Sequence, residues 1–179
     1  VYEFIANLKS RKIKIDILIN NAGYLVSELF GDTTYDSFKK TFDVNVTAPL
    51  AWVQACWGAY MKEHGGNIIN ISSVGAFSTN AILGVYDITK SALIHLTQQL
   101  AAELGPNTRV NAICPGLVKT DFSKLLWENP EAEKASSQRM PLRRLGVADD
   151  FKGVAVFLAS DASSYINGTI LNVDGGYMA

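Results

Sequence analysis

Residues Asn67–Gly116 read NIINISSVGAFSTNAILGVYDITKSALIHLTQQLAAELGPNTRVNAICPG. The opening NIINI is a short apolar run of strand length. Gly84–Leu104 repeats apolar residues at helical spacing, and Gly105-Pro106 is a strong stop signal after it. Arg109–Cys114 is again short and apolar, broken by Pro115-Gly116. Strand, helix and strand at this rhythm predict a βαβ unit with parallel strands. Downstream, a helix over Ala148–Ala159 and a strand over Thr169–Val173 continue the alternation, and DGG ends it in a turn. Upstream, "DILIN" at Asp16–Asn20 is apolar enough to be covered on both faces and is stopped by NAG. Between these strands, Thr33–His64 carries long helical character and ends at Gly65-Gly66. Val1–Ser10 places Val1, Phe4, Ile5 and Leu8 at helical spacing. Leu117–Arg144 is charged and irregular, with two short helical pieces. The expected fold class is therefore α/β with a parallel sheet.

Bulk properties narrow the function. The chain has 179 residues, 48% hydrophobic and 18% charged, with a net charge of -1. That suits a globular domain with its own core and gives no electrostatic footprint for nucleic acid. No apolar run approaches the ~20 residues needed to span a bilayer, and no secretory signal is recognisable. Cys56 and Cys114 stand far apart without CxxC or HxxxH company, so both read as reduced core residues of a cytoplasmic protein. No metal site is expected, and no P-loop is present to support a phosphate-binding or transferase reading.

Chemistry concentrates in the middle of the chain. Tyr86 and Lys90 lie four positions apart, on one face of a helix. A lone Y-x-x-x-K pair is weak, since chance alone gives roughly 0.4 in a chain of this composition. Its surroundings are informative. Ser73 follows the strand NIINI, thirteen residues before Tyr86. NNAG occupies Asn20–Gly23, Asn45 lies inside a helix in DVNV, and PGLVKT spans Pro115–Thr120. Each lies at or near the carboxyl end of a strand or on the helix facing it, where open α/β sheets bind ligands.

In order and spacing, NNAG, the mid-helix Asn, the Ser–Tyr interval, YxxxK, the PG turn and the final NVDGG resemble the short-chain dehydrogenase/reductase family from about Asp16 onward. The resemblance implies the carboxyl-terminal part of a doubly wound, Rossmann-type sheet, strands 4–7 of the family order, as a single partial domain over residues 1–179, with Leu117–Arg144 as the substrate loop. It implies hydride transfer between NADP or NAD and a small carbonyl compound or alcohol, with Tyr86 as general acid/base. Tyrosine normally titrates near 10. An ammonium about 5 Å away, at an effective dielectric of about 20, is worth about 3 kcal/mol, so Lys90 is expected to lower the phenol toward neutrality. The resemblance also has Lys90 hold the nicotinamide ribose. Ser73, rather than its neighbour Ser72, would donate to the substrate oxygen as negative charge builds there. Asn45 would hold a water that relays protons to Lys90, unless it is simply a polar helix residue. Asn20, Ala22 and Gly23 would lie against the adenosine part of the cofactor. Pro115 and Gly116 would shape the loop beside the nicotinamide, and Val118 and Thr120 would bind its carboxamide; Thr120 as a plain helix cap is the rival reading.

Phe122, Leu125, Leu126 and Trp127 on one side of the pocket, with Phe77 and Leu83 on the other, favour an apolar ketone, aldehyde or secondary alcohol. The segment from Gly116 to Gly146 is similar to the carbonyl and retinal reductase branch and its bacterial relatives, with 3-oxoacyl-acyl-carrier-protein reductases as the alternative. The resemblance implies that the helices containing AWVQACWGAYM and ALIHLTQQLAAEL, apolar nearly all round, pair in a homodimer or homotetramer. The family fingerprint TGxxxGxG is absent, and so is the residue that sorts NAD from NADP. The chain is therefore expected to be the carboxyl-terminal part of a longer enzyme, exposing an apolar strand edge where the lost strand would pair. A non-catalytic binding or scaffold module is the alternative for such a chain. On this expectation the 179-residue chain binds NADPH and NADH poorly, and a fluorescence titration showing micromolar affinity would contradict it.

Overall fold

Four strands, β1 (Ile17–Asn20), β2 (Gly66–Ile71), β3 (Thr108–Pro115) and β4 (Ile170–Val173), form one sheet in the order β1-β2-β3-β4. The computed structural model describes residues 1–179. All three pairings are parallel, with Asn20 opposite Asn70, Ile71 opposite Ile113, and Pro115 opposite Val173. The carboxyl ends of all four strands therefore lie along one edge, where the loops that carry the sequence motifs emerge.

Helices cover both faces because each strand between helical layers alternates its side chains. On β2, Ile68 joins a cluster with Val53, Cys56, Met61, Leu100 and Val110. Its neighbour Ile69 packs with Ile113 and Leu158 on the other face. The first layer is α1 (Tyr2–Ser10), α3 (Ala48–Cys56) and α5 (Gly84–Leu104); the second is α7 (Lys152–Ala159), preceded by a 3₁₀ turn at Ala148–Phe151. The two cysteines are free and buried.

The region of long helical character is a near-continuous rod of α2 (Tyr35–Phe42), α3 and α4 (Lys62–His64), joined by π turns at Asp43–Thr47 and Trp57–Met61. Thr34 caps its start, its hydroxyl accepting from the Ser37 N–H at 3.1 Å. The two short pieces in the irregular segment are a 3₁₀ helix at Asp121–Leu126 and α6 (Pro130–Arg139). Asn129 caps α6 by accepting from the Glu131 N–H at 2.8 Å, with Pro130 at the first helical position.

Strand β1 has the exposed apolar edge that was expected, but it is not a run covered on both faces. It is an edge strand, and Ile17 and Ile19 are 45% and 48% exposed because nothing packs over them. No helix is long and apolar enough to cross a membrane.

A line of buried amides ties the strand ends to α5. Asn20 Nδ2 donates to Asn70 Oδ1 at 2.8 Å, Asn70 Nδ2 donates to Thr97 Oγ1 at 2.9 Å, and the Thr97 hydroxyl donates to the Leu93 carbonyl at 2.8 Å. Asn70 and Thr97 have no solvent exposure, so each donor depends on its partner. Thr97→Val keeps the shape but strands the Asn70 amide. It should cost about 1–3 kcal/mol, at about 2–4 °C of Tm per kcal/mol. An unchanged melting temperature in calorimetry would show that this chain of bonds does not stabilise the fold.

Candidate active site

A cleft of about 830 Å³ opens at the carboxyl ends of the strands. Ser73, Tyr86 and Lys90 line it together, although they come from a strand-end loop and two turns of α5. Ala22, Gly23, Pro115, Gly116, Val118 and Thr120 line it too. Gly116 is required by close approach: a Cβ there would meet the Asp174 Cα at 2.9 Å.

The serine pair separates cleanly. Ser72 is buried and donates its hydroxyl to the Lys90 carbonyl at 2.8 Å. Ser73 Oγ accepts from the Gly75 N–H at 3.1 Å, which leaves its proton free to turn toward other acceptors. Lys90 donates from Nζ to the Ile71 carbonyl at 2.8 Å and lies 5.5 Å from the centre of the Tyr86 ring.

The expectation that Lys90 lowers the Tyr86 phenol is corrected. Burial pushes the phenol up to about 12, with Ser73 opposing the shift and Asp87 adding to it. The same loss of water pushes Lys90 down to about 8. A Coulomb attraction reckoned at high dielectric leaves out the desolvation that both groups undergo. At neutral pH the phenol is protonated and the lysine remains mostly an ammonium.

The side chain of Asn45 is taken up by protein partners. It sits in the π turn of the helical rod, fully buried and outside the cleft lining. Its Oδ1 accepts from the Tyr24 N–H at 2.8 Å, and its Nδ2 donates to the Tyr24 carbonyl and the Thr89 hydroxyl, both at 2.9 Å. The amide thus latches the NNAG loop to α5 between Tyr86 and Lys90. Asn20 likewise turns inward to Asn70, and it is Asn21 that lines the cleft. Thr120 starts the 3₁₀ helix without a capping bond from its side chain; its hydroxyl lies 3.2 Å from the Ser123 hydroxyl.

The apolar walls are also revised. Phe122, Leu126 and Leu83 line the cleft, whereas Phe77, Leu125 and Trp127 do not. Phe77 and Leu125 face solvent, and the Trp127 indole donates to the Thr120 carbonyl at 3.2 Å. The Phe122 ring lies 6.2 Å from that of Tyr86, tilted by 48°. Sequence reasoning passed over Asp87, Arg139 and Tyr177, which line the cleft as well. Asp87 carried a signal, an acid inside the Tyr–Lys motif; the other two lie far apart in sequence and meet only in the fold.

A family profile described as enoyl-(acyl carrier protein) reductase matches residues 1–178. The chain is 42% identical over 166 residues to human dehydrogenase/reductase SDR family member 4, covering 90% of this chain and 59% of that protein. It thus spans about three fifths of the length of that curated relative. A gluconate 5-dehydrogenase from Burkholderia cenocepacia J2315, solved with NADP and tartrate, superimposes with a TM-score of 0.92 at 31% identity, over 97% of this chain and 69% of that one. A 4-hydroxyisoleucine dehydrogenase solved with NADH gives 0.93 at 31% identity, over 98% and 73%. With its parallel sheet, its strand-end cleft and these likenesses, the chain belongs to the short-chain dehydrogenase/reductase family.

Proposed function

We propose that this chain carries the catalytic half of an NAD(P)-dependent oxidoreductase that interconverts a carbonyl compound and an alcohol. The observation that supports this most is the convergence of Ser73, Tyr86 and Lys90 on one cleft wall at the strand ends. The dinucleotide fits what is present. The cleft is of ligand size, its near side is formed by Ala22 and Gly23, and the far side by the Pro115–Gly116 turn. A bound nicotinamide would supply the hydride in reduction and accept it in oxidation.

In reduction, the substrate oxygen lies between the Ser73 and Tyr86 hydroxyls. Ser73 donates a hydrogen bond to it as negative charge develops, an interaction stronger in the transition state than in the ground state. Tyr86 then gives up its phenolic proton to that oxygen. Burial keeps this proton in place until an acceptor arrives, since the phenol is pushed up to about 12. Lys90, held by the Ile71 carbonyl, presents a positive charge to the phenolate left behind. Phe122, Leu126 and Leu83 give an apolar surface to a ketone, an aldehyde or a secondary alcohol.

The relatives' cofactors support NADP or NAD without choosing between them. Homodimer or homotetramer assembly is part of the same proposal. It is supported by the exposed apolar Val156, Phe157 and Tyr165 around α7.

Tyr86→Phe in the full-length protein removes only the transferable proton. Turnover should fall by about 10²–10⁴-fold, while cofactor affinity, read by nucleotide fluorescence, stays within about twofold. Turnover at the wild-type rate would remove Tyr86 from the reaction.

A further inference from the structure

We infer that the part of the cleft lined by Arg139, lying on Tyr177, is an anion subsite, and that the substrate carries a carboxylate besides its carbonyl. The hydride-transfer reading enters only in placing that carbonyl at Tyr86.

Three charged side chains line the cleft: Asp87, Lys90 and Arg139. The first two are committed to the backbone, since Asp87 accepts from the Asn80 N–H at 3.1 Å and Lys90 donates to Ile71. Arg139 takes part in none of the five ion pairs of the chain. Its one bond is from Nη2 to the Tyr177 hydroxyl at 3.0 Å, and its guanidinium lies over the Tyr177 ring, 5.2 Å from the centre. Five donors in a planar fork, with a single one used, suit a carboxylate taken in bidentate fashion.

The platform under the fork is fixed from two sides. Asp174 accepts from the Gly176 N–H at 2.9 Å and from the Met178 N–H at 3.0 Å, closing the turn that carries Tyr177. Leu142 N–H donates to the Gly175 carbonyl at 3.1 Å, docking that turn on the segment after α6. Gly176 has φ +87, and a Cβ there would meet Pro141 at 2.8 Å, so only glycine allows this contact. Stacking on a docked ring removes rotamer freedom that binding would otherwise have to remove. A cation in the last turn of α6 is favoured by the helix dipole, but the dipole does not require it to lie on Tyr177 at the cleft. Met140, Leu126 and Phe122 also line the cleft and offer an apolar body a surface, alongside the serine and tyrosine hydroxyls.

The test compares 5-oxohexanoate with 2-hexanone, a ketone of equal length without the charge, on the full-length protein and on Arg139→Gln, Arg139→Lys and Tyr177→Phe. The wild type should prefer the oxo acid in kcat/KM by at least about tenfold. Arg139→Gln should reduce that preference by about 10–100-fold through KM rather than kcat; Arg139→Lys should retain part of it and Tyr177→Phe should weaken it. Equal use of both ketones by the wild type, or an intact preference in Arg139→Gln, overturns the inference. So does a Kd for NADPH or NADH that rises in Arg139→Gln while the preference stays, which would assign the fork to a cofactor phosphate. Equilibrium binding decides independently of turnover. 5-Oxohexanoate should shift the Arg139 Nε–H resonance where 2-hexanone does not, and no shift counts against the subsite even if neither ketone reacts. Loss of turnover for both ketones with that shift preserved would count against the hydride-transfer reading and leave the subsite standing.

Discussion

Removal of water from one turn of α5 shifts the protonation of its tyrosine and its lysine. Tyr86 and Lys90 are both buried, and burial acts on them in opposite directions, raising the phenol and lowering the ammonium. Burial shifts each toward its neutral form, although at neutral pH Lys90 is still mostly an ammonium. The phenol stays high although a sequence-based Coulomb estimate sets the pull of the ammonium at about 3 kcal/mol. The phenol is thereby held in its protonated form. Charge brought in with a ligand, or developing on a substrate oxygen, is what would draw the proton out.

That arrangement depends on the sheet more than on the helix alone. Lys90 reaches the carboxyl end of β2 and is held there by Ile71, while Ser72 grips the carbonyl of Lys90 from the next residue along. Asn45 holds the NNAG loop against Thr89, and the Thr89 hydroxyl donates to the Tyr86 carbonyl at 2.7 Å. Buried bonds from Ser72, Asn45 and Thr89 thus fix the helical turn that carries the tyrosine and the lysine. Each of the three is buried with its partners in place, so the constellation is set before any ligand binds. The π turn at Asn45 is the local irregularity that lets the amide reach both loop and helix.

Much of this was legible in the sequence because it is periodic or local. Apolar runs of strand length, the Gly-Pro stop after Leu104 and the thirteen-residue Ser–Tyr interval are short-range signals, and they located four strands and the Ser73–Tyr86–Lys90 wall. What escaped was set by tertiary context. Asn20 and Asn21 are identical in type, and only the pleat decides that Asn20 points to Asn70 while Asn21 lines the cleft. Leu125 and Trp127 share an apolar character with Phe122, yet a 3₁₀ turn sends them elsewhere. The direction of the Tyr86 shift required a burial that no spacing rule measures. Arg139 and Tyr177, 38 residues apart, needed the docked C-terminal turn to meet.

The account stands on burial outweighing the neighbouring ammonium at Tyr86. The direct measurement is a pH titration of the chain labelled with ¹³C at the tyrosine ζ carbon, the Tyr86 signal being assigned with Tyr86→Phe. The signal should keep its phenol position from about pH 6 to about pH 10 in the ligand-free protein, as expected for a group pushed up to about 12. A midpoint below about 9, under the ordinary tyrosine value near 10, would mean that the ammonium and not desolvation controls the proton, and the account would be wrong.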